Sequence, residues 1–440
     1  MVASTDQNLV YDLKISSVGP SRVTGTDIFH EPIGVDIAMK LHYLHGVYFF
    51  SSQASRGLDI MRIKESLFFW CCDYYTACGR FRRSDDTGRP FIKCNDCGVR
   101  IIEAECDKTI DEWLKMKDCS SLNNKFLIYH LPIGPEISFS PLCYLQMTKF
   151  KCGGMSLGLS WAHILGDPFS ASECINTWGL FLSSLKSNGP IKIIKSPKRL
   201  KSSEDPKEPL SLKRVDPLGD LWVTTNNCKM ETFSIYLTAT KVSQLLSNIW
   251  GQSPNKEIPL FESLCAIMWQ SIAKVRESHE PKIVTICKKD PNHPKRGLLS
   301  NSQIISSVKA DFPIKDSNLR ELANLLARRD SDENDLIEEL VEKDNGMVDY
   351  ILYGANLTFL NLEEANLYGL EWNGHKPIFV HYSIQGVGDE GAVLVLPWPE
   401  NCGKYDGEGR VITVILPENE AMKLKSELKE NGLLPENEFE

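Results

Sequence analysis

Cys152-Gly153-Gly154-Met155-Ser156-Leu157-Gly158-Leu159-Ser160-Trp161-Ala162-His163-Ile164-Leu165-Gly166-Asp167 places a histidine at the end of an apolar strand and an aspartate four residues later. Upstream, Leu142 to Phe150 alternates, with Leu142, Tyr144, Gln146, Thr148 and Phe150 on one face. Gly153-Gly154 supplies a turn, and a second strand runs to about Ala162. Met155, Leu157, Leu159 and Trp161 point one way, and His163 continues their parity. Gly158, Ser160 and Ala162 form an opposite face of small residues, which lets another backbone approach closely. Asp167 before Pro168 reads as an N-cap with proline at the first helical position. The helix it opens carries Ala171, Ile175, Trp178, Phe181, Leu182 and Leu185 at helical spacing.

Two readings of His163 follow. An imidazole titrating near neutrality suits a general base that takes a proton from an acceptor hydroxyl or amine as it attacks a thioester. A half-buried histidine closing a strand end suits the same spacing. Asp167 as a plain helix cap needs no catalysis at all.

The combination Gln146-x-Thr148-x-Phe150-x-Cys152-Gly153-Gly154, Gly158 and His163-x-x-x-Asp167 resembles the core of the BAHD acyl-CoA-dependent acyltransferases. So do Asp36 with Val47-Tyr48-Phe49-Phe50, Gly79-Arg80-Phe81, and Pro259-Leu260-Phe261-Glu262-Ser263-Leu264 leading to Trp269 and Lys274-Val275-Arg276. That resemblance spans nearly the whole chain. It implies two similar chloramphenicol-acetyltransferase-like α/β sandwich domains with the site at their interface and acyl-CoA as substrate or ligand. It also implies His163 as base, with Asp167 as its structural support, turned away from substrate and paired with an arginine, for which Arg276 is the candidate.

The chain departs from the family pattern in two loops. Where the family carries DFGWG before Lys-Pro, this chain has Glu371-Trp372-Asn373-Gly374-His375-Lys376-Pro377. Its YFGN loop corresponds to Leu298-Leu299-Ser300-Asn301, keeping the asparagine only. On this alignment Asn301 and Trp372 are candidate cofactor-binding positions, Asn301 as the anchor of a backbone loop. Trp372 also reads as a core aromatic beside a turn, and Glu371 as a lengthened acidic partner. The pattern is similar to the plant eceriferum and glossy wax proteins, through Met39-Lys40-Leu41-His42-Tyr43, Cys94-Asn95-Asp96-Cys97-Gly98, Tyr353-Gly354-Ala355-Asn356-Leu357-Thr358-Phe359 and Gly386-Val387-Gly388-Asp389-Glu390-Gly391. That closer resemblance implies an accessory protein of very-long-chain fatty-acid elongation for cuticular wax. Its partner would be a 3-ketoacyl-CoA synthase at the cytosolic face of the endoplasmic reticulum. The alternative is an acyl-CoA-dependent acyltransferase using His163 as general base on an alcohol or amine acceptor.

Composition is consistent with either reading. A chain of 440 residues suggests two domains. Its net charge of -9, without a basic stripe interleaved with aromatics, argues against nucleic acid as partner. Lys195, Lys198, Arg199 and Lys201 beside Pro197 read as a solvated linker. The first thirty residues lack a signal-peptide pattern, and no apolar run reaches the length of a bilayer span. Fourteen cysteines in that setting read as reduced thiols, and Cys94-x-x-Cys97 lacks the second pair that a zinc ribbon needs, so no metal is expected. No permanently bound cofactor is expected either, and the chain is expected to be a monomer.

Gly189-Pro190, Ser196-Pro197, Asp205-Pro206 and Glu208-Pro209 mark the main break. The expected organisation is an N-terminal domain over 1–187, a crossover linker over 188–218 and a C-terminal domain over 219–440. Helices are predicted at Arg62 to Thr76, Ala239 to Ile249, Phe261 to Glu277, Leu319 to Arg328 and Leu336 to Lys343, the last a surface helix. Strands are predicted at Met230 to Leu237, Lys282 to Lys288, Ile378 to Ile384, Ala392 to Leu396 and Val411 to Leu416. A closing helix from Glu418 to Leu428 is predicted to turn Met422, Leu424 and Leu428 inward.

Overall fold

The computed structural model describes residues 9–116, 124–184, 208–251, 259–277, 279–291, 299–328, 332–399, 401–402, 405–406 and 409–434. Two six-stranded sheets, each covered by helices, form the expected pair of α/β sandwiches. The first sheet runs in the order Val10–Val18, Val99–Cys106, Cys143–Phe150, Met155–Ala162, Tyr43–Phe50, Phe379–Gln385. The second runs Met230–Leu237, Arg410–Pro417, Ala392–Pro397, Leu357–Asn361, Ile283–Lys288, Ile304–Lys309.

Strand parity explains how the first sheet packs. Leu157, Leu159 and Trp161 join a core with Ile63, Leu67 and Trp70 of the helix Ile60–Asp73 and with Ala171, Ile175 and Trp178 of the helix Pro168–Ser184. The opposite, small face accepts backbone, as its residues predict: a side chain at Gly158 would collide with the Leu127 carbonyl oxygen. Leu185 lies outside the described residues. In the second sheet Phe233, Val284, Phe359, Val393 and Val414 pack against the helices Ala239–Trp250, Leu260–Val275, Leu319–Ala327 and Glu418–Glu430. On the last of these Ala421, Leu424 and Leu428 are buried, while Met422 faces out at 58% exposure. Inward positions at 421, 424 and 428 make an i, i+3, i+7 stripe, and 422 falls off it.

The halves do not divide at one point in the chain. Phe379–Gln385, read as part of the C-terminal domain, joins the first sheet antiparallel to Tyr43–Phe50. Span 219–440 therefore contributes to both sheets. The acidic helix Asn334–Lys343 is not a free surface helix either. It buries Ile337 and Val341, and Glu338 Oε2 accepts from the Val35 N–H of the short helix Gly34–Ala38, 2.9 Å away. Much of the expected linker lies outside the described residues, but its end is ordered and partly buried. Ser211 is fully buried and donates N–H and O–H to Glu333 Oε2 at 2.9 and 2.6 Å, and Lys213–Val215 pairs with Asp349–Ile351.

Candidate active site

The strand Met155–Ala162 passes into one 3₁₀ turn, His163–Leu165, before the helix Pro168–Ser184 begins. His163 still follows the sheet ladder, since its N–H donates to the His42 carbonyl at 3.0 Å. Asp167 caps the helix as its sequence requires, with Oδ1 accepting from Ser170 N–H at 2.8 Å. Its other oxygen reaches the second half of the chain, accepting from Ser302 N–H at 2.9 Å and Gln303 N–H at 3.0 Å. Asp167 N–H in turn donates to the Ser300 carbonyl at 3.1 Å.

Among the described residues no arginine joins this arrangement, which corrects the expected Asp167–Arg276 pair. Arg276 is buried elsewhere, donating to Glu420 Oε2 at 2.9 Å, Glu390 Oε2 at 2.8 Å and the Glu390 carbonyl at 2.7 Å. The Asp167 carboxylate is stabilised instead by three backbone N–H groups and the positive end of the helix dipole.

Asn301 also has a bracing role. Its side-chain amide donates to Asp36 Oδ1 and to the His163 carbonyl, both at 2.9 Å, and its N–H donates to Asp36 Oδ1 at 3.2 Å. Asp36 Oδ2 accepts from Ile33 N–H at 3.0 Å. Burial pushes the Asp36 carboxyl up to about 6 against the pull of those donors. The asparagine thus anchors the loop that carries His163.

Trp372 is not at the site. It is fully buried in the first core, stacked on Phe50 with centroids 3.8 Å apart and planes 12° apart, and edge-on to Trp178. Residues 372–375 form a tight two-residue turn: Trp372 and His375 exchange backbone hydrogen bonds at 2.9 Å, and Asn373 and Gly374 have φ of 49° and 76°. Both positive values fit a type I′ hairpin turn, for which Asn-Gly is the preferred pair. Asn373 Nδ2 ties the turn to the Ala54 and Arg56 carbonyls at 2.8 and 3.0 Å. Glu371 is exposed. A Cβ on Gly374 would meet nothing within 4 Å. Gly374→Ala should therefore cost only the left-handed backbone penalty, about 1 kcal/mol, in thermal unfolding. A loss of several kcal/mol would show that the turn is packed more tightly than this.

The imidazole of His163 is fully buried, and its Nε2 lies 2.9 Å from the Tyr353 hydroxyl. Gln303 Nε2 donates to that hydroxyl at 2.8 Å, and Gln303 Oε1 lies 3.2 Å from it. The nearer acceptor for the tyrosine proton is His163 Nε2, which leaves the histidine proton on Nδ1. His42 completes the group: its Nε2 accepts from the Leu352 and Tyr353 N–H groups at 3.1 and 3.3 Å, and its ring centroid is 4.9 Å from that of Tyr353. Burial lowers the pKa of His163 to about 4 and of His42 to about 3, so both rings are neutral at pH 7. A general base works best with a pKa near the operating pH and a lone pair facing the proton it removes. In this structure the Nε2 lone pair of His163 faces an internal hydroxyl, and burial has weakened its basicity.

Reading the residues assigned no role to Tyr353, His42, Gln303 or Asp36. Tyr353 is held by tertiary contacts: Gly388 N–H donates to its carbonyl at 2.9 Å, and Gly354, at φ 83°, lies too close to Gly388 to carry a side chain. The Tyr353-Gly354 pair was a local signal for such a turn, but nothing local pointed its hydroxyl at His163. Among the described residues no cluster of three or more His, Cys, Asp or Glu side chains could hold a metal, and no helix is long and apolar enough to cross a membrane.

A family model described as the Transferase family matches residues 34–288. Protein ECERIFERUM 26 of Arabidopsis thaliana is 43% identical over 429 residues, covering 97% of this chain and 97% of that protein. Protein ECERIFERUM 2 of the same plant is 36% identical over 95% of this chain and 98% of its own length. Among solved structures, vinorine synthase superposes with a TM-score of 0.70 over 96% of this chain and 98% of its own, at 15% identity, a likeness of fold. With the His163-x-x-x-Asp167 junction, the two-sandwich architecture and full-length relatives in agreement, the chain belongs to the Transferase family of BAHD acyltransferases, in its eceriferum branch.

Proposed function

We propose that this protein is a BAHD-fold accessory of very-long-chain fatty-acid elongation for cuticular wax, acting beside a 3-ketoacyl-CoA synthase at the cytosolic face of the endoplasmic reticulum. Its similarity over nearly full length to the ECERIFERUM proteins supports a role in the same process. One observation at the site carries the preference for an accessory over a transferase. His163 Nε2 is engaged by the Tyr353 hydroxyl at 2.9 Å, inside a fully buried group. A long-chain acyl-CoA would then be something the protein or its partner binds, with no proton transfer by His163. Attachment to the membrane would come through the condensing enzyme.

Co-expression with 3-ketoacyl-CoA synthases in yeast, followed by profiling of acyl chain lengths, tests this reading. Wild type should extend the chains reached, and His163→Ala should retain most of that effect at normal protein abundance. A fall of about 10²–10⁴, the usual worth of a general base, would reject it. An unchanged profile with every condensing enzyme would reject it as well. The rival reading, acyl transfer to an alcohol or amine, is favoured by the presence of His163 on a loop braced by Asn301 and Asp167. It requires purified protein to release CoA thiol in a His163-dependent way.

A further inference from the structure

We propose that Tyr353 is a built-in occupant of a hydroxyl-binding subsite on His163, and that removing its side chain creates a site for a small phenol. This goes beyond the elongation reading, because it concerns what the junction of the halves binds and not which partner the fold serves.

The subsite is defined by three atoms around one oxygen. His163 Nε2 lies at 2.9 Å, Gln303 Nε2 at 2.8 Å and Gln303 Oε1 at 3.2 Å. His163, Gln303 and Tyr353 are all fully buried. The Gln303 amide donor together with the imidazole acceptor suits a hydroxyl, which both gives and receives; a carbonyl or ether oxygen has no proton for the imidazole. The tyrosine ring lies against two imidazoles, with centroids 4.9 Å from His42 and 5.2 Å from His163.

The backbone of the two hydrogen-bonding walls, and the ring of His42, are anchored independently of the tyrosine side chain. His163 is held by the sheet bond to the His42 carbonyl and by Asn301 on its own carbonyl. Gln303 is held by its N–H to Asp167 Oδ2 and by Asn334 Nδ2, which donates to its carbonyl at 2.8 Å. His42 is held by backbone N–H groups of residues 352 and 353, which any substitution except proline leaves in place at 353. Vacating the ring therefore leaves a cavity of phenol shape on a fixed backbone, lined by the imidazole and amide that the missing hydroxyl had engaged. While Tyr353 is seated, no other hydroxyl can reach His163 Nε2.

The test uses full-length Tyr353→Gly, with phenol and toluene as probes, read by thermal unfolding and calorimetric titration beside wild type. Phenol should raise the melting temperature of the variant saturably and leave wild type unmoved. It should bind about tenfold more tightly than toluene, which leaves the imidazole and the amide unpaired. Equal affinity for the two probes, no binding by a folded variant, or the same response in wild type would overturn the proposal. If the glycine variant does not fold, Tyr353→Phe keeps the ring and removes the hydroxyl alone. Its ¹⁵N spectrum should then show the His163 Nε2 resonance displaced from the wild-type position, and an unmoved resonance would refute the contact.

Discussion

Asp167→Ala is expected to be the most damaging single change at the junction, costing roughly 3–6 kcal/mol of stability. The side chain is fully buried and accepts three backbone N–H bonds, one from the helix it caps and two from Ser302 and Gln303. Truncation leaves all three donors buried without that partner, and each such loss costs about 1–3 kcal/mol. Loss of the cap alone would cost about 1 kcal/mol. Asp167→Asn should fall between the two, because one amide oxygen can serve the helix or the loop but not both. Thermal and denaturant unfolding of the two variants measures the series. A cost near 1 kcal/mol for the alanine would mean that only the helix cap matters and that the loop at 300–303 holds without it.

Mild acid should unfold the protein by charging histidines that the fold keeps neutral. His42, His163 and His381 are buried, with pKa values lowered by that burial to about 3, 4 and 4. Unfolded, each takes a proton near pH 6.5. Their contribution is therefore complete above that pH and is lost as pH falls toward 4. Asp36 opposes them, because its raised pKa of about 6 lets the folded state take up a proton before the unfolded state does. With His130, whose pKa burial likewise lowers to about 4, the balance near pH 5.5 is roughly three protons, or about 4 kcal/mol lost per pH unit. Denaturant titrations at pH 7, 6 and 5.5 would show it, and His163→Ala should reduce the slope by about one proton. A flat profile over that range would mean that water reaches these rings.

Local rules account for what the residues alone revealed. Side-chain parity on Met155–Ala162 identified both its core face and the glycine that lets the Leu127 backbone approach. The Asp167-Pro168 pair marked a helix start, because capping needs only neighbours within three residues. Positions of most helices and strands followed from the same periodicities. The BAHD-type core was legible from spaced motifs, each of which is a local constraint on a turn or a strand end.

Tertiary structure decided the rest, for reasons that spacing does not contain. A buried carboxylate can be stabilised by a guanidinium or by several N–H groups, and residue types do not say which. Here Asp167 took N–H groups from a loop more than 130 residues away, while Arg276 turned to Glu390 and Glu420. Trp372 went to the core because an Asn-Gly turn folds it onto Phe50. Tyr353 met His163 across 190 residues of chain, through the packing of the two halves and the close approach of Gly354 to Gly388. The sequence by itself determined that a histidine stands at the junction of two sandwiches; which hydroxyl meets its Nε2 was decided only when the two halves closed on each other.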